Sequence, residues 1–432
     1  MIVRLLLSAL IMLVAACAQA AVCYVSTDGS DANAGTSAKP WATLQHAVDT
    51  VEPGDTIVVR GGSYAGCRIA RSGRPDAPCA LNADPGAQVV LDRPGPSNAH
   101  DGILEVERYD ATIEHWTIEG FEVANSPHSG IDLRHTNHVT VRGCRVHDSA
   151  VTGIITSFSE HVIIEGNECY RNHEHGIYHA NSADHPTIRA NRIHHNDTCG
   201  IHMNGDASMG GDGQISHALV EGNIIWENGA PRGGSAINCD GVSDSVFRNN
   251  LCVNNHASGI SLYAGDGAEG SSRNRVYNNT FLMADGSRWV VNIPASGRGK
   301  PNPVGNVVRN NVLYTPYAEL GAIHVYDPVA AGLESDYNAV VDRLSADGGS
   351  SVISLCQWRT HGLDQHSIQI TPEALTGGGE QMDPDAFRPR PGSPLIGAGT
   401  PLPEVTEDLS GAARPAKPAI GCLEPLAGHE AE

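Results

Sequence analysis

A short motif returns about every 23 residues, and this repeat constrains the fold more than any other feature of the chain. The motif joins a branched aliphatic or aromatic residue to a charged residue, or in one copy to a tyrosine, and in most copies a glycine or asparagine follows. Its clearest copies are Ile118-Glu119-Gly120, Val141-Arg142-Gly143, Ile164-Glu165-Gly166 and Ile188-Arg189-Ala190, with later copies at Val220, Phe247, Val276 and Val308. A Gly-Ile pair recurs in the same step, at Gly130, Gly153, Gly176, Gly200 and Gly259. Such repeats are typical of solenoids, and this one predicts an all-β chain forming a right-handed parallel β-helix.

The first 20 residues have the features of a signal peptide. Arg4 supplies a positive start, residues 5–16 form an apolar run, and Ala18-Gln19-Ala20 offers a small-residue cleavage site. The run is too short to span a bilayer, and no later stretch is apolar enough to do so. We therefore expect a secreted or periplasmic protein. Because Val14-Ala15-Ala16-Cys17 resembles a bacterial lipoprotein box, anchoring through a lipid on Cys17 is an alternative.

The repeat divides the remaining chain into three parts. We expect residues 21–105 to form an N-terminal cap and the first coils, residues 106–345 the central β-helix with loop insertions, and residues 346–432 the closing coils. The Thr43 to Val51 run has helical spacing, and a helix here would cover the apolar end of the first coil. The glycine-rich Gly205 to Ser216 insertion is expected to help build a binding face.

Charge and cysteine content narrow the partners and the compartment. The formal charge is −21 and the chain has only three lysines, which argues against a nucleic-acid partner. Ten cysteines follow the predicted signal peptide, and an even count in an exported protein favours disulfides. The pairs that we expect to form most readily are Cys67 with Cys79 and Cys356 with Cys422. No paired cysteine or histidine spacing typical of a zinc site occurs in the sequence. We expect a monomer, because a solenoid buries its core as one unit.

Aligning the coils on the motif sorts many side chains into ladders, in which equivalent residues of successive coils stack about 4.8 Å apart. Five histidines share one position and are expected to form a stacked polar ladder, with a metal-binding run as the less favoured alternative: His115, His138, His161, His185 and His217. An inward apolar ladder is expected from Val123, Val146, Cys169, Ile193, Ile225, Cys252, Phe281 and Leu313. A ladder of asparagines is expected to satisfy backbone groups at a turn: Asn172, Asn196, Asn228 and Asn255.

Residues that fit none of these ladders concentrate near the middle of the solenoid. If the isoleucine of each Gly-Ile pair points inward, the residue after it points outward. This places Tyr178 and His202 side by side on adjacent coils. Other polar residues are expected to surround this pair and to form a groove for an extended chain: His173, His175, Asn204, Asp206, Asn238, Asp240 and Tyr263.

Both ends of the chain resemble those of bacterial right-handed parallel β-helix repeat proteins. The opening stretch runs from Tyr24-Val25-Ser26 to Gly61-Gly62-Ser63-Tyr64, and the closing stretch from Phe387 to Glu424. These families include polysaccharide lyases, epimerases and glycoside hydrolases, so the resemblance implies a fold more specifically than an activity. The segment from His173 to Asp206 is similar to the central coils of alginate epimerases and related β-helix lyases, which use a histidine and a tyrosine on one sheet face.

The resemblance and the residue types together predict a lyase that cleaves an acidic, uronic-acid-containing polysaccharide by β-elimination. His202 would remove the C5 proton, with His175 as an alternative base, and Tyr178 would protonate the leaving oxygen. Amides and a guanidinium would neutralise the substrate carboxylate: Asn204, Asn238 and Arg134. Further substrate contacts are expected from Asp240, His173 and Tyr263.

Three other functions stay open on the sequence. Asn238-Cys239-Asp240-Gly241 is similar to the Asn-Thr-Asp-Gly of polygalacturonase-type hydrolases, in which Asp240 would act with Asp206 or Glu174. A C5-epimerase would use similar proton transfers without cleavage, although the Asp-Pro-His motif of alginate epimerases is missing. A non-catalytic carbohydrate-binding protein would expose aromatic platforms.

Calcium is the one cofactor that the acidic composition favours. Asp206 and Asp212 lie in one insertion, and their carboxylates would suit both Ca²⁺ and a uronate substrate. Lysine-based pectate lyase chemistry is expected to be excluded, because no lysine lies between Lys39 and Lys300.

Overall fold

The structure is a computed structural model that describes residues 20–98, 100, 102–297, 299–371 and 382–426. Residues 1–19 of the predicted signal peptide lie outside these ranges, as does the alternative lipid site at Cys17. Within the described ranges, we find no helix with the length and apolar character needed to cross a membrane.

Three long parallel sheets wind around one core, and each coil gives one strand to each sheet. The first sheet consists of Val22–Val25, Thr56–Val59, Cys79–Ala83, Ile113–Glu119, Thr136–Arg142, Ile163–Glu165, Thr187–Arg189, Leu219–Glu221, Val246–Arg248, Arg275–Tyr277, Val307–Arg309 and Glu334–Asp336. The second consists of Gly62–Ala65, Val89–Arg93, Glu122–Ala124, Arg145–His147, Glu168–Tyr170, Arg192–His194, Ile224–Trp226, Leu251–Val253, Thr280–Leu282, Val312–Tyr314, Ala339–Val340 and Ile368–Gln369. The third consists of Cys67–Ile69, Leu104–Val106, Ile131–Arg134, Ile154–Ser157, Ile177–Ala180, Ile201–Asn204, Ile237–Asp240, Ile260–Tyr263, Val291–Ile293, Ile323–Val325 and Leu344–Ser345. The predicted parallel β-helix is confirmed.

Short elements close the ends and border the insertions. The helix Leu44–Thr50 begins at Thr43, whose side chain accepts from the His46 N–H, and it buries Leu44 against the core. The predicted capping helix is therefore confirmed. The other short elements are the helix Leu355–Trp358, the 3₁₀ turns Ala207–Met209, Arg359–His361 and Pro384–Phe387, and the paired strands Ile215–Ser216 and Val242–Ser243.

The ladders predicted from the repeat are present. Every member of the apolar ladder is fully buried, because the inward position of each second-sheet strand meets the core. The five histidines stack face to face, with ring centroids 4.6 to 5.1 Å apart. The four turn asparagines are buried and hydrogen-bond from coil to coil, as expected.

Two further ladders went unrecognised in the sequence. A second row of buried asparagines links coils through side-chain amides and consists of Asn167, Asn191, Asn223, Asn250, Asn279, Asn311 and Asn338. The charged residue of the repeated motif forms an alternating row along the first sheet, namely Glu119, Arg142, Glu165, Arg189, Glu221 and Arg248. Its ion pairs join neighbouring coils at 2.6 to 2.7 Å.

Neither of the two disulfides expected from the sequence is present among the described residues. All ten cysteines of the described chain are free thiols. Cys67 lies in the third sheet and Cys79 in the first, on different walls of the β-helix. Cys356 is exposed on a helix, whereas Cys422 is buried against Leu251. Eight of the ten thiols are buried, where they serve as small core side chains.

Candidate active site

The outward face of the third sheet carries a continuous row of polar side chains. Parallel register aligns Tyr178 with His202, and His202 with Asn238. Ser261, Asn292 and His324 continue the row on later coils. Each side chain faces outward because its strand neighbours, such as Ile177 and Ile201, are fully buried in the core.

Three aromatic rings meet at the centre of this row. Tyr178 and His202 stack with centroids 4.8 Å apart and an angle of 13° between their planes. His175, from the turn before the Ile177–Ala180 strand, meets His202 nearly edge-on with centroids 4.6 Å apart. The two residues predicted as neighbours are thus in contact, and the turn adds a second imidazole to them.

A chain of hydrogen bonds holds the two imidazoles. Thr198 Oγ1 lies 2.8 Å from His175 Nδ1, and the backbone N–H of Cys199 donates to the same nitrogen at 3.3 Å. His175 Nε2 lies 3.1 Å from His202 Nδ1. His202 Nε2 is buried and has no hydrogen-bond partner among the described residues. A buried nitrogen without a partner is costly in a folded protein, so it marks a position where a ligand atom can bind.

Burial also sets the charge states of these rings. It lowers the pKa of His202 to about 4, so the imidazole is neutral near pH 7. It lowers the pKa of His175 as well, with a smaller contribution from His202. Burial raises the pKa of Tyr178, and the nearby carboxylates of Asp206 and Asp266 raise it further, although a hydrogen bond from Asn204 acts in the opposite direction.

Two amides border the aromatic rings. Asn204 Nδ2 donates to Tyr178 Oη at 3.3 Å, while its Oδ1 accepts the Asp206 N–H at 3.2 Å. Asn238 Nδ2 donates to Tyr263 Oη at 2.8 Å. Both amides therefore lie beside a phenol and keep hydrogen-bonding capacity for a substrate.

Asp240 is held by backbone and does not face a substrate. It is 2 % exposed, and the N–H groups of Gly265, Asp266 and Gly267 donate to its two oxygens at 2.8 to 2.9 Å. Lys300 Nζ donates to the carbonyls of Gly265 and Gly267 at 2.6 and 2.7 Å. The Asp240 carboxylate and the Lys300 ammonium group thus hold the same loop, one through its N–H groups and the other through its carbonyl groups.

Lys300 lies beside the site although it is distant from it in the sequence. The absence of lysine between Lys39 and Lys300 predicts a site without a lysine beside it. The insertion after the Val291–Ile293 strand folds back. The ammonium group of Lys300, which lies in this insertion, binds the Gly265–Gly267 loop beside Asp240. In the structure it braces that loop through two carbonyl groups.

Two predicted site residues lie outside the group. Arg134 forms a bidentate ion pair with Asp132 at 2.9 to 3.1 Å, on the second coil before Tyr178. Its charge is already neutralised there. His173 is exposed at a turn and lies 3.2 Å from Asp197, so it does not reach the row.

The two aspartates proposed for calcium form separate local turns. Asp206 Oδ1 accepts from the N–H and Oγ of Ser208, and Asp212 Oδ1 accepts from the Gln214 N–H. In the part of the chain that the structure describes, no three histidine, cysteine, aspartate or glutamate side chains converge as metal ligands would. The protein groups on this face therefore do not fit a preformed calcium site.

Comparison with known proteins identifies the family. Residues 23–292 match the family model described as the Pel9A-like, right-handed β-helix region. Pectate lyase PEL9 of Emericella nidulans is 39% identical over 123 residues, which are 25% of this chain and 29% of that protein. The uncharacterized protein YwoF of Bacillus subtilis is 29% identical over 114 residues, 26% of this chain and 24% of that protein.

The chain thus spans less than a third of the length of these curated relatives. The crystal structure of pectate lyase Pel9A superimposes with a TM-score of 0.63 at 18% identity, covering 94% of this chain and 96% of that one. This similarity covers nearly the whole fold, including its right-handed winding. The chain belongs to the Pel9A-like family of right-handed parallel β-helix proteins.

Proposed function

We propose that this protein is a polysaccharide lyase that cleaves a uronic-acid-containing polysaccharide by β-elimination. The observation that carries the proposal is the stack of Tyr178 on His202 in the middle of the outward polar row, where His202 Nε2 has no hydrogen-bond partner among the described residues. A relative that bears the name pectate lyase supports the same class of reaction.

The site holds the chemical groups that elimination requires. The C5 proton of a uronate becomes acidic only when charge on its carboxylate is stabilised, and amide or imidazole N–H groups in a desolvated site can do this. Asn204, Asn238 and His202 offer such groups on one face. Tyr178 stacks on His202 with ring centroids 4.8 Å apart, so its phenol lies beside these groups and can exchange protons with C5 and with the leaving oxygen.

The hydrolase alternative loses its main residue. An inverting hydrolase needs one carboxyl group as acid and another as base, both facing the substrate. Both oxygens of Asp240 are occupied by the backbone N–H groups of its neighbouring loop. The C5-epimerase alternative would use the same sheet face as the lyase, but the C4–O4 bond would stay intact and C5 would receive a proton on the opposite side of the sugar ring.

The proposal extends to the setting of the reaction. We propose an exported monomer with an acidic polysaccharide as its partner. Calcium would enter with the substrate carboxylates rather than occupy a preformed protein site, since Asp206 and Asp212 are engaged in separate turns.

The first test is ultraviolet absorbance of the C4–C5 double bond formed from polygalacturonate, alginate and other uronic polysaccharides, with and without calcium. The purified chain from residue 21 should generate this absorbance with at least one of them. His202→Ala and Tyr178→Phe should each lower kcat/KM about 10³-fold, as expected for the loss of a group that stabilises developing charge or transfers a proton. His195→Asn, which alters an exposed histidine of the second-sheet turn, should leave kcat/KM within about twofold.

Other products would redirect the assignment. New reducing ends without absorbance would establish hydrolysis, and an altered uronate epimer ratio without cleavage would establish epimerisation. Binding without any product would identify a carbohydrate-binding protein. Each of these three results would overturn the lyase proposal.

A further inference from the structure

The hydrogen bonds on His175 decide which nitrogen of each ring carries a proton. A ring nitrogen that accepts a backbone N–H cannot itself be protonated, and His175 Nδ1 accepts from Cys199. The proton of neutral His175 is therefore on Nε2, with Thr198 Oγ1 also donating to Nδ1. Because His175 Nε2 faces His202 Nδ1 at 3.1 Å, His175 donates and His202 accepts.

His202 then carries its own proton on Nε2. This nitrogen lies buried on the outward face and has no hydrogen-bond partner among the described residues, as is also true of His324 Nε2 further along the row. In this state the ring presents an N–H group to a ligand and no lone pair. A base needs the opposite arrangement, so the role of base expected from the sequence does not match the resting hydrogen bonds.

We infer that His202 acts on the substrate as a neutral N–H donor, held in that tautomer by Thr198, the Cys199 backbone and His175, and that Tyr178 moves the proton. This inference rests on the lyase activity proposed above. His175 and Thr198 are positioning residues in it, because they act through His202 and do not contact the reacting atoms.

The elimination balances without any further reactant. Tyr178 reacts from its phenolate form, which it reaches by losing its proton to solvent. Because burial raises the pKa of Tyr178, this form is a minor one near pH 7, and turnover should rise as the pH rises. The phenolate oxygen accepts an N–H from Asn204. The C5–H bond breaks and the proton passes to the Tyr178 oxygen. The C5 electron pair forms the C4=C5 bond, the C4–O4 bond breaks, and Tyr178 returns the proton to O4. Throughout, His202 Nε2–H donates to the carboxylate oxygen on which charge develops.

This route has a stereochemical consequence. Tyr178 both removes the C5 proton and protonates O4, so the two events take place on the same face of the sugar ring. The enzyme should therefore prefer uronates in which the C5 hydrogen and O4 lie on one face.

Nuclear magnetic resonance of the substrate-free protein tests the tautomer independently of activity. In protein with ¹⁵N-labelled histidine, long-range ¹H–¹⁵N spectra near pH 7 should show His202 protonated on Nε2, assigned by loss of its signals in His202→Gln. A proton on Nδ1 would overturn the inference and leave the lyase proposal standing. If no polysaccharide is cleaved, the lyase proposal fails and this spectrum alone decides the tautomer.

Kinetics of two substitutions at one position separate a donor from a base. His202→Gln keeps an N–H group near the Nε2 position but cannot accept a C5 proton. We expect it to retain at least tenfold more kcat/KM than His202→Ala. Equal loss in both variants, with unchanged thermal unfolding, would return the role of base to His202 and overturn the inference.

A matched pair at His175 tests positioning. His175→Gln can still donate to His202 Nδ1, whereas His175→Leu cannot. We expect His175→Leu to lower kcat by about tenfold more than His175→Gln, with little change in KM, and to shift the His202 spectrum towards a mixture of tautomers. An unchanged His202 spectrum in His175→Leu would show that the donor bond does not set the tautomer.

Discussion

His179 and His202 show how strand register divides one residue type between structure and chemistry. Burial lowers the pKa of both to about 4. His179 faces inward, where Thr156 Oγ1 and the Ala183 carbonyl engage both of its nitrogens. His202 faces outward and keeps one nitrogen without a partner among the described residues. At the scale of the residue, an unfilled hydrogen-bonding position distinguishes His202 from His179, whereas the lowered pKa that they share does not.

Asp240 offers a test at the same scale. Asp240→Asn keeps the shape of the side chain but places an NH₂ group against backbone N–H donors, so at least one of them loses its acceptor. We expect the free energy of unfolding to fall by about 1–3 kcal/mol, measured by urea denaturation. Asp212→Asn, at an exposed turn with one local bond, should change it by less than about 0.5 kcal/mol. Equal stability of the two variants would contradict the structural role.

At the scale of the element, the buried asparagine ladder holds adjacent coils in register. Asn223 Nδ2 donates to the Ile188 carbonyl and to Asn250 Oδ1, and its Oδ1 accepts two N–H groups of Asn191. Asn223→Ala would leave buried groups on both neighbouring coils without partners. We expect a loss of at least about 2 kcal/mol in urea unfolding, whereas the exposed Asn302→Ala should cost less than about 0.5 kcal/mol. A cost below 1 kcal/mol at Asn223 would contradict this role.

The alternating charges of the first sheet provide a second test of elements. Glu165 lies between Arg142 and Arg189 in the register, and its carboxylate is 2.6 Å from Arg189 Nη2. Glu165→Arg would set three guanidinium groups side by side and should cost about 1 kcal/mol of unfolding free energy at low salt. Glu165→Gln removes attraction without adding repulsion and should cost less. Because the groups are partly exposed, the difference between the variants should shrink in 1 M salt; a salt-independent difference would contradict this.

At the scale of the whole molecule, buried neutral histidines should make the fold sensitive to acid. Burial lowers the pKa of several of them, namely His175, His179, His194, His202 and His324. The unfolded chain binds protons at these residues below about pH 6.5, while the folded chain does not. Stability is therefore fully present above that pH and is lost as the pH falls towards 4.

This acid sensitivity can be measured by urea unfolding between pH 7 and pH 4.5. His179 is fully buried, and its folded pKa lies well below its unfolded pKa. When the pH falls below both values, this gap corresponds to a loss of on the order of 3 kcal/mol in the free energy of unfolding. We expect a continuous decline in unfolding free energy, which His179→Gln should make shallower. A flat profile over this range would contradict the prediction.

What the sequence determined by itself follows from repetition and strand alternation. The repeat of about 23 residues sets one coil length, so equivalent residues must stack, and the two-residue alternation assigns each to the core or the surface. The parallel β-helix, the histidine stack and the contact between Tyr178 and His202 could therefore be predicted.

Only the tertiary structure decided how individual polar groups are paired. Thr198 hydrogen-bonds His175, and the backbone of the Gly265–Gly267 loop hydrogen-bonds Asp240. Lys300, from an insertion distant in the sequence, binds the same loop. Arg134 is neutralised by Asp132, and Cys67 and Cys79 lie on different walls. Loop paths and hydrogen-bond directions depend on contacts between coils rather than on spacing along the chain. The tautomer that separates a proton donor from a base is set by those same contacts.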